Sequence, residues 1–210
     1  RRFGTASAVW DLGVDNRVTR IVGLSVLAFI LMVGYAVIRP ATESLFLGDH
    51  TADALPNVWL LVGGTALVVS SLFARFIPGK RLARVIAAVC GISSLLLLVL
   101  IAVRKADVPA NAYALYVFKD VYIVVLVETF WAFANAVFPF STARWAYGLF
   151  CVMGSLGHMA GNLGIGPLAK RLGTEDALFL GAPCLWAAAV VALWLSARAG
   201  APRVPERAKA

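Results

Sequence analysis

Long runs of apolar residues, separated by short polar stretches, dominate the chain from about residue 21 onward. The runs are continuous rather than alternating with period two, and they are too long for membrane barrel strands of about 10 residues. A membrane-spanning helix needs about 20 mostly apolar residues. Six segments fit that requirement, at residues 21–46, 58–77, 82–103, 112–138, 143–168 and 177–195. The pattern predicts an all-α, polytopic membrane protein with six transmembrane helices.

The stretches outside these segments are short, which predicts a simple domain organisation. We expect a cytoplasmic or interfacial lead-in at residues 1–20, a six-helix transmembrane domain at 21–197 and a basic cytoplasmic tail at 198–210. Only residues 78–81 (PGKR) separate the second and third segments, and proline followed by glycine is typical of a turn. These two segments are therefore predicted to form a tight helical hairpin.

Composition excludes an ordinary soluble domain. Of the 210 residues, 61% are hydrophobic and 14% are charged, whereas a soluble domain carries roughly 25% charged residues. The mean hydropathy is +0.85. The net charge of +8 would suggest nucleic acid as a partner for a soluble protein, but in a membrane protein the placement of the charges predicts topology instead. We expect a lipid bilayer as the surroundings and no nucleic-acid partner.

The distribution of Lys and Arg predicts the orientation, because cytoplasmic loops retain positive charge. One side of the six-span arrangement holds only Arg104, Lys105, Lys170 and Arg171. The other side holds Arg1, Arg2, Arg17, Arg20, Arg75, Lys80, Arg81, Arg84, Arg144, Arg198, Arg203, Arg207 and Lys209. We therefore predict a multi-pass protein of the inner (cytoplasmic) membrane with both termini cytoplasmic and with residues 48–57 outside.

Charged residues inside the predicted spans are the main candidates for function, since such residues are rare at membrane depth and usually face the bundle interior or a wet cavity. Arg39 and Glu43 lie four positions apart on the first segment, so they share a helix face, and Pro40 between them removes a backbone donor. The pair fits a binding site for a charged solute and an internal salt bridge equally well. For Lys119 and Asp120, near the end of the fourth segment, we favour structural pairing close to the interface.

Glu128 is the sharper candidate, because it lies about mid-span with no opposite charge within one helical turn of its own sequence. Glu128, Trp131 and Asn135 follow a spacing of three and four and so form one stripe along the helix. We interpret Glu128 as a functional residue unless another helix supplies its partner. The predicted substrate-binding set is therefore Arg39, Glu43, Glu128 and Asn135.

The fifth segment contains six glycines, among them Gly157 and Gly161, which form a small-xxx-small pair. Such a pair is typical of close helix packing in membranes, and the strand that precedes a phosphate-binding loop is missing. We therefore predict a packing seam. His158 and Asn162 on the same helix could reach a cavity, although an interhelical hydrogen bond is the commoner role for such a pair.

Nothing in the sequence indicates an enzyme. There is no HExxH motif, no Walker-type loop and no credible Ser/His/Asp set. Cys90, Cys151 and Cys184 lie inside apolar segments without metal-ligand spacing, so we expect buried thiols that form no disulfide. The prediction is a protein without catalytic residues, metal or cofactor.

Two stretches resemble the ATP/ADP translocase family of nucleotide transporters. Residues 35–45 (YAVIRPATESL) resemble that family's first-helix motif, in which an arginine is followed by a lysine and an acidic residue. Residues 130–135 (FWAFAN), with Arg144 and residues 147–150 (YGLF), resemble its FWxFAN segment and the following basic loop and helix start. Thr42 stands where the family has its lysine.

The resemblance implies the amino-terminal, six-helix half of a major-facilitator-like fold and a transporter that alternately exposes a central site. Arg39 and Glu43 are then polar residues of helix one, and Asn135 belongs to helix four. Two hypotheses follow. The chain is a transport module for nucleotides or other anionic solutes, with a second six-helix half or a second copy as partner. Alternatively, it is a non-transporting accessory or assembly subunit of a larger membrane complex.

Overall fold

The computed structural model describes residues 14–106, 108, 111–138 and 140–199, and in these residues the chain forms helices and turns without any strand. The all-α prediction is therefore confirmed for this part of the chain, and all six apolar segments are helical. The elements are α1 (Val14–Asp49), a 3₁₀ turn (Ala52–Ala54), α2 (Leu55–Phe76), α3 (Leu82–Lys105), α4 (Asn111–Val137), α5 (Phe140–Leu172), α6 (Thr174–Ala177), a second 3₁₀ turn (Leu178–Leu180) and α7 (Gly181–Ala199).

Two boundaries differ from the prediction. Residues 14–20, expected in the lead-in, continue α1, while residues 1–13 of the lead-in and 200–210 of the tail lie outside the described part. The sixth segment does not form one helix, since its first residues, 177–180, belong to the short α6 and a 3₁₀ turn, and α7 begins at Gly181. Helix α5 ends at Leu172, and the next residue, Gly173, has a φ of 93° and donates its N–H to the Ala169 carbonyl at 2.9 Å. A positive φ of this kind favours glycine.

Four stretches are long and apolar enough to cross a membrane: Arg17–Asp49, Ala52–Phe76, Leu82–Lys105 and Thr174–Arg198. The helices α4 and α5 have 27 and 33 residues, so their length also exceeds the span of the hydrocarbon core. They differ in composition, since α4 contains Lys119, Asp120 and Glu128 and α5 contains six glycines. The charged residues predicted to lie inside spans are thus found on α1, with Arg39 and Glu43, and on α4.

The bundle is organised around α1, which packs against α5, α7 and α4. The face of α1 that points into the bundle is buried, with Leu24, Leu27 and Ile38 at most 1% exposed. Helix α3 packs against α7 and α4 on the other side of the core. Helix α2 packs mainly on α4, where the Trp59 indole donates to the Tyr116 hydroxyl at 3.2 Å. The helices α1, α3, α4, α5 and α7 therefore share one core, and α2 stands at its edge.

The predicted glycine seam on α5 is confirmed. A Cβ atom on Gly157 would lie 2.3 Å from the Phe29 carbonyl oxygen of α1. One on Gly161 would lie 2.7 Å from the Ala36 Cβ and 2.8 Å from the Val33 carbonyl oxygen. These approaches are too close for any larger residue, so the two glycines let the backbones of α1 and α5 pack directly.

An ion-pair network joins one end of the bundle. Arg104, at the end of α3, binds Asp49 at the end of α1 and donates to Glu175 of α6 at 2.9 Å. Lys105 donates to Asp176 at 2.8 Å. The carboxyl ends of α1 and α3 and the connection between α5 and α7 therefore meet at one end, as consecutive up-and-down helices require.

The expected hairpin of α2 and α3 is only partly correct. The turn is tight, since the Lys80 N–H donates to the Ile77 carbonyl at 3.0 Å and Gly79 has a φ of 78°. Proline followed by glycine with positive φ is the pattern of a type II turn. However, α2 packs mainly on α4, and a cleft of about 700 Å³ separates it from α3. Of the residues of α2, only Val58 is buried.

The three cysteines differ in exposure. Cys90 is buried and Cys184 is half-buried, whereas Cys151 is exposed. The expectation of three buried thiols is therefore wrong for Cys151. Its apolar neighbours in the sequence could not show that α5 presents this position to the outside of the bundle.

Candidate functional site

The candidate site begins at a proline inside α1. The helix continues through Pro40, and two residues later the Thr42 hydroxyl donates to the carbonyls of Ile38 and Arg39 at 3.0 and 2.9 Å. Thr42 itself is fully buried. Position 42, where the resemblance would lead one to expect a lysine, therefore faces the core and does not belong to the exposed face that carries Arg39.

Arg39 and Glu43 form the ion pair that their spacing predicts. The Arg39 Nε donates to the Glu43 Oε1 at 3.0 Å, and the side chains are 47% and 35% exposed. The Arg39 guanidinium carbon lies 5.9 Å from the centre of the Tyr35 ring, one helical turn earlier. At a rise of 1.5 Å per residue, Arg39 lies about 15 Å along α1 from Asp49. The pair is therefore well inside the stretch of α1 that is long and apolar enough to cross a membrane, and it is open on one side.

Helix α4 contributes a second cation to this pair. The Lys119 ammonium lies 2.9 Å from both carboxylate oxygens of Asp120 and 3.3 Å from the Glu43 Oε1. It also lies 3.9 Å from the centre of the Tyr116 ring. Only 2% of the Lys119 side chain is exposed. Structural pairing of Lys119 with Asp120 is confirmed, but the lysine does not snorkel to an interface.

The four charged side chains, Arg39, Glu43, Lys119 and Asp120, are called the charge cluster below. Two cations face two anions, so the buried lysine is compensated within the cluster. Glu43 Oε1 lies within 3.3 Å of both cations and links α1 to α4. Arg39 uses only its Nε, and its two terminal amino groups bond to no other side chain in the described ranges. A guanidinium with these donors unused is suited to a carboxylate or phosphate.

Glu128 and Asn135 lie apart from the charge cluster. Glu128 is exposed and forms no ion pair with any residue in the described part of the chain. It follows Lys119 by nine positions, which at 100° per residue places it on the opposite face of α4. Asn135 is also exposed, and its Oδ1 accepts a hydrogen bond from the Tyr147 hydroxyl of α5. The predicted binding set is therefore divided between two faces.

A groove of about 470 Å³ lies where α1, α4 and α5 meet. Its walls are mostly apolar, with Met32 from α1, Trp131 from α4 and the exposed Cys151 from α5. His158 lines the groove too, and its ring lies 5.9 Å from the Tyr35 ring. Tyr35 also lies beside Arg39, so this ring stands between His158 of the groove and the charge cluster, although no residue of the cluster lines the groove itself.

Sequence reasoning missed two members of this site. Lys119 was assigned to an interface, but α4 begins at Asn111 and places it more than two turns inside the helix. The distance of Lys119 from the start of the helix could have indicated that its side chain lies inside the bundle. Tyr35 carried no signal, because an aromatic residue in an apolar segment is ordinary. Among the described residues, no group of three or more His, Cys, Asp or Glu side chains could hold a metal ion.

Comparisons with protein-family models, with curated proteins and with solved structures find no match for this chain. The likeness to nucleotide translocases therefore remains an expectation carried by residues 35–45 and 130–150. The geometry of the charge cluster and the groove is the remaining basis for a function.

Proposed function

We propose that the chain is a membrane transport module of major-facilitator type that moves anionic solutes, nucleotides among them. The observation that carries the proposal is Arg39, a 47% exposed cation inside the longest apolar segment, held by Glu43 through one nitrogen. Ionisable residues at membrane depth usually mark solute or ion pathways.

The contrast between the two cations of the charge cluster supports a binding role. Lys119 is enclosed and has three carboxylate oxygens within 3.3 Å, as a purely structural cation should. Arg39 has one carboxylate partner and stays half-exposed. A structural arginine in hydrocarbon gains nothing from unused donors, whereas a binding arginine requires them.

The proposal assigns Glu43 the task of holding Arg39 until an anion arrives. An anion that contacts the terminal guanidinium nitrogens weakens the hold of Arg39 on Glu43, and the carboxylate then rests on Lys119, 3.3 Å away. No charge is left without a partner in either state. Glu128 and Asn135, on the outer face of α4, belong in this proposal to the surface that meets a second six-helix half or a second copy.

Location and orientation are part of the proposal. The end that carries Arg104 and Lys105 also carries Asp49, Glu175 and Asp176, which neutralise these two cations, and Lys170 and Arg171 of α5 are its other basic residues. At the opposite end, Lys80, Arg81 and Arg84 are exposed without an ion-pair partner in the described ranges. Unpaired positive charge is retained on the cytoplasmic side. We therefore assign the latter end, and both termini, to the cytoplasm of an inner membrane.

The test is uptake of labelled nucleotides, phosphate and organic anions into proteoliposomes. We expect Arg39→Ala to abolish uptake of the transported anion while the helical content and elution profile stay unchanged. Arg144→Ala is the matched control, since Arg144 is exposed and unpaired within the described residues. Equal uptake by wild type and Arg39→Ala for every anion tested would contradict the assignment.

A second function, that of an accessory subunit in a larger membrane complex, is favoured by one observation. Glu128 is exposed at mid-helix and has no ion-pair partner in the described part of the chain. An unpaired carboxylate at membrane depth is energetically unfavourable, and a cation from another subunit would remove that cost. This alternative predicts stable co-purification with further subunits in mild detergent, which Glu128→Gln should weaken. Recovery of the full-length protein as a lone monomer or dimer would argue against it.

A further inference from the structure

A cleft beside α2 is lined by residues that play no part in the charge cluster. Although α2 and α3 are joined by a five-residue turn, the space between them is open. Near the turn it forms a cavity of about 660 Å³, whose lining includes Lys80, Arg81 and Arg84. Farther along it becomes the 700 Å³ cleft between α2, α3 and α4. Phe73, Val89 and Ile92 line both, so the two are one continuous space.

The mouth of this space is strongly positive. Lys80, Arg81 and Arg84 are exposed, and none of their side chains forms an ion pair with another described residue. No acidic residue occurs anywhere in residues 55–106. Helix α3 begins at Leu82, between these cations, and the amino end of a helix also favours negative charge. The mouth therefore suits an anion.

The inner part of the space is apolar. Its walls come from residues such as Leu61 and Val69 on α2, Leu96 on α3 and Val121 on α4. Between Arg84 and Leu96 the helix rises about 18 Å, slightly more than half of a hydrocarbon core of about 30 Å. An occupant must thus be charged at one end and apolar over the depth of one leaflet.

We propose that this space is a binding site for one anionic phospholipid. The phosphate lies among Lys80, Arg81 and Arg84, and an acyl chain runs between α2 and α3 along Phe73, Val89 and Ile92. Basic pockets between transmembrane helices bind anionic headgroups in this way. The chain's own remaining segments fit poorly, since residues 200–210 contain Arg203, Arg207 and Lys209 against the single acid Glu206.

The site does not depend on transport. It accounts for a helix that has a single buried residue, because the lipid supplies the contacts that α3 does not. In its absence α2 is held to the bundle mainly by α4, through Val58 and the hydrogen bond between Trp59 and Tyr116. A bound lipid would therefore also steady the position of α2.

The experiment is native mass spectrometry of the delipidated full chain, with phosphatidylglycerol and phosphatidylethanolamine of identical acyl chains added separately. We expect at least fivefold more one-to-one adduct with phosphatidylglycerol. The combined variant Lys80→Gln, Arg81→Gln, Arg84→Gln should lose that preference. The matched control Arg144→Gln, Lys170→Gln, Arg198→Gln removes as many basic residues, none of which lines the cavity, and should keep the preference.

A second pair of variants tests the apolar part without changing charge. Ile92→Trp narrows the cleft and should reduce binding of both lipids several-fold. Leu95→Trp is its control, because Leu95 is exposed to a similar degree (65% against 67%) but does not line the space. Circular dichroism and elution volume establish that each variant is folded.

Four results would overturn the proposal. Equal binding of the two lipids, or a preference for phosphatidylglycerol that survives in the combined variant, would show that Lys80, Arg81 and Arg84 do not bind the headgroup. Displacement of phosphatidylglycerol by an equal concentration of glycerol phosphate would show a site for a free anion instead. A mass of two chains that disappears in Ile92→Trp would show that a second copy fills the cleft.

Discussion

Helix α4 carries two sets of polar residues on opposite faces, and their surroundings differ sharply. On the face toward α1, Lys119 is 2% exposed and compensated by Glu43 and Asp120. On the other face, Glu128 is exposed and forms no ion pair in the described ranges. The same helix therefore has one face that is electrostatically complete and one that is not. The complete face links α4 to α1 through the contact between Lys119 and Glu43, and the incomplete face is the one on which we propose an additional partner.

Breaking the complete face should have the largest effect on stability. Lys119→Met leaves Glu43 and Asp120 as neighbouring carboxylates without their shared cation. Removing one member of a buried ion pair costs on the order of 3 kcal/mol, so we expect a clear fall in the melting temperature of the purified protein. The control is Lys170→Met, at an exposed position without an ion pair to another described residue. Equal melting temperatures for the two variants would show that Lys119 is not held as described.

A smaller and more specific effect is expected for Glu43→Gln. The amide keeps the shape of the side chain but removes the charge that Arg39 and Lys119 share, while Lys119 retains Asp120. The melting temperature should therefore fall less than in Lys119→Met. Because Arg39 loses its competitor, the affinity for the transported anion should rise several-fold in an equilibrium binding assay. A loss of affinity would instead show that Glu43 contacts the solute directly.

The smallest effect on stability is expected for Glu128→Gln. With no ion-pair partner among the described residues, Glu128 has no such interaction to lose, and substitutions of this kind usually stay within about 0.5 kcal/mol. Thermal unfolding of the purified chain measures it directly. A destabilisation as large as that of Lys119→Met would mean that Glu128 is paired, and the contrast between the two faces of α4 would not hold.

Sequence patterning predicted the helices and the small-residue seam well. The six apolar runs are helical, because length and hydrophobicity are enough to predict such elements. Gly157 and Gly161 pack against α1, because small-xxx-small spacing is typical of close helix packing. The ion pair between Arg39 and Glu43 was also predictable, because the two residues lie about one helical turn apart on the same helix.

What the sequence could not show depended on rotation and separation of helices. The period of 3.6 residues places Glu128 opposite Lys119, but it does not reveal which of the two faces meets α1. The short turn at residues 78–81 suggested that α2 packs on α3. Helix packing depends on the fit of side chains, however, and α2 packs mainly on α4. Cys151 was misjudged for the same reason.

Arg39 is proposed as the cation that receives an anionic solute, and equilibrium binding to the purified protein is the decisive measurement. Nucleotides, phosphate and organic anions would be titrated against the wild type, Arg39→Gln and the control Lys170→Gln. We predict that at least one anion binds the wild type and Lys170→Gln alike and binds Arg39→Gln at least tenfold more weakly. Equal affinity in all three proteins, or no binding of any anion to the wild type, would contradict the claim.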